Sequence, residues 1–178
     1  ISVLNNFGSV NIGESIYMIG KMGSLVCCST LEVVYNGESS IDPPEIDLYQ
    51  EKLNGNGVLE LIQEKIITSC HDISDGGMIV TICEMIMLDD RGATINIVDN
   101  NKMMGELFGE DQSRYIITIS PELESIFEKK MKKRGVKYEP IGYITSSQLK
   151  INDSIIISNN EIRDAYESLI PSVMNNMA

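Results

Sequence analysis

No apolar run in this 178-residue chain approaches the about 20 residues needed to cross a bilayer, so a helical membrane span is excluded. Positive charge is scarce: 14 Lys and Arg stand against 26 Asp and Glu, for a net −12 and a pI near 4.4. That balance argues against a nucleic-acid surface, which needs a basic face. Cysteine is sparse too. Cys27, Cys28, Cys70 and Cys83 show no paired zinc spacing, and adjacent cysteines rarely bridge, so a reduced, cytoplasmic setting is expected. No charged-plus-apolar leader opens the chain, and its first residue, Ile1, suggests a fragment of a longer product. The apolar fraction, 43 %, suits one sizeable core with a small appendage.

The chain is organised around Ser69-Cys70-His71-Asp72-Ile73-Ser74-Asp75-Gly76-Gly77. Residues 65–68 before it form a short apolar run rich in β-branched side chains, which suggests a buried strand. After it, Met78, Ile79, Ile82, Cys83, Met85 and Ile86 recur at helical spacing. A strand-to-helix turn of this kind gathers free N–H groups at a positive helix end, which favours an anion. Gly76 and Gly77 permit a ligand or another backbone to come close. The simpler alternative is Ser74 or Asp75 as an N-cap and His71 as a hydrogen-bonded histidine.

A second polar stretch is Leu107-Phe108-Gly109-Glu110-Asp111-Gln112-Ser113-Arg114-Tyr115, leading into a strand over 115–119. Glu110 and Asp111 have the chemistry of a divalent-cation site or of solvated loop acids, with Arg114 as an ion-pair partner for either. A helix is expected from Ser15, after Gly13-Glu14-Ser15. Leu31, Val33 and Tyr35 alternate as a strand does. Asp42-Pro43-Pro44-Glu45-Ile46-Asp47-Leu48 opens a long helix, which Asn54-Gly55-Asn56-Gly57 is expected to break. Asp89-Asp90 closes the helix after the central turn, and 93–98 reads as a strand. Ser120-Pro121-Glu122 starts another helix, whose basic end, Lys129 to Arg134, reads as a solvated C-terminus rather than a phosphate patch. A strand over 138–145, a hairpin around Asn152-Asp153 and a final helix from Asn160 to Pro171 complete the order. Mixed or antiparallel sheet with packed helices, an α+β fold, is the outcome.

Four stretches carry a family resemblance. Residues 70–77 resemble the HDISDGG turn of phosphoribosylformylglycinamidine synthase. Residues 107–115 resemble its L-F-G-E-D-Q-x-R-Y signature, and Gly13-Glu14-Ser15-Ile16-Tyr17 its G-G-S-x-Y, with Glu14 in place of the second glycine. Asp42-Pro43-Pro44-Glu45-Ile46-Asp47-Leu48 resembles its P-x-x-D-L entry to a long helix. The resemblance implies the C-terminal domain of the second half of that enzyme, partly ferredoxin-like and shared with aminoimidazole ribonucleotide (AIR) synthetase. It implies a domain over 13–178, a preceding domain's end or linker over 1–12, and a variable insertion over 24–40.

The family converts formylglycinamide ribonucleotide to its amidine with ATP, magnesium and glutamine-derived ammonia. Implied partners are upstream domains of the same polypeptide, a glutaminase domain or subunit, and a small ribonucleotide substrate; nucleic acid and membrane are not implied. By pseudo-symmetry with the first half, Asp72, Ser74, Asp75, Gly76, Gly77, Glu110, Asp111, Gln112 and Arg114 would line a mirror nucleotide or phosphate site, with Asp72 a magnesium ligand. No catalytic residue is implied here, His71 included, so the chain alone is expected to be inactive. On this reading Gly77→Val blocks ligand approach and leaves the fold intact. The alternatives are another superfamily member, such as thiamine-monophosphate kinase with its D-x-S-D-G turn, or a regulatory or scaffolding domain without ligand.

Overall fold

Strand β1 (Ser15–Ile19) is buried on both faces, with Ile16 and Met18 in one core and Tyr17 and Ile19 in the other. The computed structural model describes residues 5–40, 42–87, 91–98, 102–152 and 154–176. The helix expected from Ser15 is this strand. A strand covered on both sides reads as a continuous apolar run, which spacing alone does not separate from a buried helix.

Chain order after β1 is α1 (Thr30–Asn36), α2 (Leu48–Gln63), β2 (Ser69–Asp72), α3 (Gly77–Met87), β3 (Gly92–Ile95), α4 (Met103–Phe108) and β4 (Tyr115–Ile119). A single turn at Pro121–Leu123 leads to α5 (Glu124–Arg134), β5 (Tyr138–Thr145), β6 (Leu149–Ile151), β7 (Ile155–Ile157), α6 (Asn159–Glu167) and α7 (Leu169–Asn176). The seven strands form one mixed sheet in the order β2-β4-β1-β5-β3-β6-β7, antiparallel throughout except for β3 beside β6. One face carries α3, with α4 and α6 against it. The other carries α2 and α5, packed through Val58, Leu61, Phe127 and Met131. This is the α+β architecture, with the central strands sandwiched between two helical layers.

Several elements differ from the sequence reading. Residues 31–35 are helical because Ser29 accepts from the Glu32 amide and Gly37 closes the helix in the left-handed region. The alternation of Leu31, Val33 and Tyr35 has no core to face; α1 buries no residue. Helix α2 runs unbroken through Asn54 to Gly57. Asn54 donates its Nδ2 to the Ser113 carbonyl at 2.8 Å and accepts from Gln50 at 2.8 Å. Gly57 lies so close to α5 and the turn after it that an added Cβ would stand 3.2 Å from Val136 and 3.7 Å from the Met131 sulfur. Tertiary contact thus overrides a cost of about 1 kcal/mol per glycine.

The strand expected over 65–68 is displaced onto the motif itself, while Ile66 and Ile67 plug the core ahead of it. The strand expected over 93–98 ends at Ile95. Pro171, taken as a stop, sits in the first turn of α7, where its missing N–H costs nothing. The helix end at Asp89-Asp90 and the hairpin's Asp153 lie outside the described residues. Ahead of β1, Phe7 and Val10 are fully buried, and the Phe7 amide donates to the Met85 carbonyl at 3.0 Å.

The second core is anchored by an aromatic trio. Phe127 stands 4.9 Å from both Tyr17 and Tyr138, ring centre to ring centre. Phe127→Ala is expected to cost about 3–5 kcal/mol, read as a lowered urea midpoint with an unchanged slope.

Candidate functional site

The two polar stretches meet because β2 and β4 pair antiparallel, with Asp72 opposite Tyr115. The ladder continues one step further, the Ile73 amide donating to the Arg114 carbonyl at 2.9 Å. Residues 72–77 and 110–115 therefore leave the same end of the sheet together. Between them lies a cavity of about 480 Å³ that Asp72, Ser74, Asp75, Glu110, Gln112 and Arg114 line. Six of the nine expected site residues come together there. Glu51, Ser113 and Tyr115 join them, and only folding reveals Glu51, since α2 brings it from more than twenty residues away. Beside Glu51, burial first and then that carboxylate push the Tyr115 phenol upward.

The other three are not part of its lining. Asp111 borders a neighbouring cavity of about 260 Å³ and accepts from the Ser24 and Leu25 amides at 3.1 and 3.5 Å. Gly76 donates its backbone N–H to Glu110 Oε1 at 2.7 Å, so a carboxylate of the chain lies at the start of α3. Gly77 is packed under the 107–109 backbone. A Cβ there would stand 2.7 Å from the Phe108 carbonyl carbon and 2.8 Å from the Leu107 and Gly109 oxygens, at a φ of +72°. Of the two uses expected for this glycine, close approach of another backbone is the one the fold makes. The expectation that Gly77→Val leaves the fold intact is therefore corrected: the space a ligand was to need is filled by main chain.

Arg114 is almost wholly enclosed. Its Nε donates to the Asp111 carbonyl at 2.9 Å and its Nη2 to the Gly109 carbonyl, with the Asp111 carboxylate 4.0 Å away. Burial draws the guanidinium pKa down, and Asp111 and then Glu110 pull it back. Nη1 has no hydrogen-bond partner among the described residues. The side chain thus fastens the loop 109–111 into a closed turn, and the ion pair expected from sequence is made with Asp111, at a buried guanidinium.

His71 sits on β2 with Nδ1 2.8 Å from the Asp72 carbonyl and Nε2 3.9 Å from Glu84. This is the hydrogen-bonded histidine of the simpler reading. Asp72 itself is two-thirds exposed, and among the described residues no group of three or more His, Cys, Asp or Glu is disposed to hold a metal ion. Of the flanking thiols, burial pushes Cys70 up to about 12, Asp72 adding to it, and pushes Cys83 to about 11, with Glu84 adding. None of the four cysteines is paired in a disulfide.

One sequence departure is fully accommodated. Glu14 is buried. Its Oε1 takes the Asn11 amide and side-chain Nδ2 at 3.1 and 2.8 Å, and Oε2 takes the Thr68 hydroxyl at 2.6 Å. Thr68, Thr118 and Ser69 continue this as a hydroxyl chain at 2.7 Å steps.

Comparison with known proteins places these features in a family. Residues 11–153 match the family model described as AIR synthase related protein, C-terminal domain. The phosphoribosylformylglycinamidine synthase subunit PurL of Brucella ovis is 30 % identical over 174 residues, which is 98 % of this chain and 23 % of that protein. The chain thus spans about a quarter of the length of the curated relatives it matches. Among solved structures, Thermotoga maritima PurL complexed with FGAR superposes with a TM-score of 0.71 at 14 % identity, over 89 % of this chain and 29 % of that one. Thiamine-monophosphate kinase from Stenotrophomonas maltophilia superposes with a TM-score of 0.59 at 13 % identity, over 84 % and 52 %. Likeness at these identities is likeness of fold.

Two measurements follow from the geometry. Gly77→Ala is expected to destabilise the protein by about 1–3 kcal/mol, as a loss of urea midpoint, because strain and a backbone clash coincide. The thiols bear on pH. Folding raises the pKa of Cys70 and Cys83, so the unfolded chain releases their protons first, and stability falls as pH rises from about 9 toward 12. Replacing both with Ser is expected to flatten that alkaline decline in thermal unfolding scans.

Proposed function

This chain belongs to the family of AIR synthase related proteins, as their C-terminal domain, and on that premise we propose that it is the closing domain of a phosphoribosylformylglycinamidine synthase. The parent enzyme converts formylglycinamide ribonucleotide to the amidine with ATP, magnesium and ammonia delivered by a glutaminase domain or subunit. The observation that carries this reading is the near end-to-end identity with PurL, 30 % over 98 % of the chain, joined to the two signature stretches that the fold brings to one cavity. The kinase alternative rests on fold alone.

Within such an enzyme this chain's role is structural. Among the described residues no arrangement of nucleophile, base and orienting group lines the cavity, and the single histidine is hydrogen-bonded to the Asp72 carbonyl. The groups that bind ATP and transfer the proton then belong to upstream domains. The reading places the enzyme in the cytoplasm. No helix among the described residues is long and apolar enough to cross a membrane.

Two assays test this reading. The purified 178-residue chain, given ATP, magnesium, formylglycinamide ribonucleotide and ammonium, is expected to show no turnover. The intact gene product carrying it is expected to form the amidine under the same conditions and to restore growth of a purine auxotroph lacking this enzyme. Turnover by the isolated chain would refute the division of labour; failure of the intact product with ammonium supplied would refute the synthase assignment.

A further inference from the structure

The adjacent acids Glu110 and Asp111 are engaged by the chain itself through Oε1 of the first and both oxygens of the second. Glu110 Oε1 accepts two backbone amides, from Gly76 at the start of α3 and from Thr30 at the start of α1, both at 2.7 Å. Asp111 Oδ2 accepts the Ser24 and Leu25 amides at 3.1 and 3.5 Å, and Oδ1 the Ser24 hydroxyl at 3.4 Å. Within this segment α1 buries no residue and leaves Val33, Val34 and Tyr35 exposed, so the helix itself adds no core contact.

We propose that Glu110 is the resident anion of this pocket. Its carboxylate takes the place at the start of α3 that a phosphate would occupy, and with Asp111 it clasps residues 24–30 beside the pocket, so that the pocket takes no free phosphate or nucleotide phosphate there. The inference concerns this chain's own geometry and holds whichever enzyme the chain serves. Three considerations carry it. A tethered carboxylate already in position does not lose the translational freedom that a free anion must lose on binding. The same cavity is lined by Glu51, Asp72 and Asp75, which repel an incoming polyanion. Its lining cation, Arg114, has two of its donors committed to the carbonyls of Asp111 and Gly109. The residues that the family pattern assigns to a mirror nucleotide site thus do not fit phosphates in this chain.

Hydrogen exchange on the intact protein carrying this chain, followed in peptides covering 26–34 and 74–80, tests the proposal. Inorganic phosphate or ADP added to the wild type is expected to leave exchange in 74–80 unchanged. Glu110→Ala is expected to speed exchange in both peptides together, by about tenfold or more, and phosphate is then expected to restore protection in 74–80 alone. Glu110→Gln keeps the accepting oxygen, so it is expected to retain most of the protection. It also carries the test if the alanine variant unfolds, which faster exchange in α5 would reveal. Phosphate protection of 74–80 in the wild type, or an alanine variant with folded exchange unchanged in both peptides, would overturn the assignment.

Discussion

Burial of β1 on both faces is the constraint from which the rest of the structure follows. Ile16 and Met18 on one side and Tyr17 and Ile19 on the other oblige helices to cover both surfaces of the sheet. They also put β1 in the middle, hydrogen-bonded to β4 and β5. Each fully buried side chain of this size is worth about 1.5–3 kcal/mol, several times an exposed ion pair at about 0–1 kcal/mol. The apolar layers therefore decide the topology, and the polar stretches go where the strands end. With β4 beside β1 and β2 beside β4, the chain leaving Asp72 and the chain entering Tyr115 have no alternative but to adjoin.

The consequences at the cavity are physical rather than chemical. Backbone fills the room beside Gly77, Arg114 ties down the turn before β4, and Glu110 links the starts of two helices. Charge-assisted bonds to backbone amides contribute about 1.5–3 kcal/mol each, enough to position an otherwise unburied helix. Motif residues that look like a ligand cradle in this way also assemble the domain.

The sequence made much of this legible. Alternation and caps located β4, β5, the β6–β7 hairpin, α5 and α6, because each depends on neighbours within a few residues: Gly135 in the left-handed region after α5, or the Ser158–Glu161 capping box before α6. The central turn and the 107–115 stretch were legible as a family pattern, and the fold brings them together. The failures share one cause. Residues 15–19 and 31–35 carry short patterns that fit helix or strand equally, and only the presence of a core on both sides of one, and on neither side of the other, separates them. Asn54 to Gly57 stayed helical because Ser113, Val136 and Met131 meet it from distant segments.

By itself, the sequence determined the α+β class, the acidic character, the family pattern and the local caps, all of which depend on composition or on residues close in the chain. Tertiary structure alone decided which partner each polar group finds. That Glu110 turns to Gly76 and Thr30, that Gly77 lies beneath the 107–109 backbone, and that Glu51 reaches the cavity wall are facts of strand order and helix packing. Hydrogen bonds act over about 3 Å, and only the folded sheet brings residues dozens of positions apart within that reach.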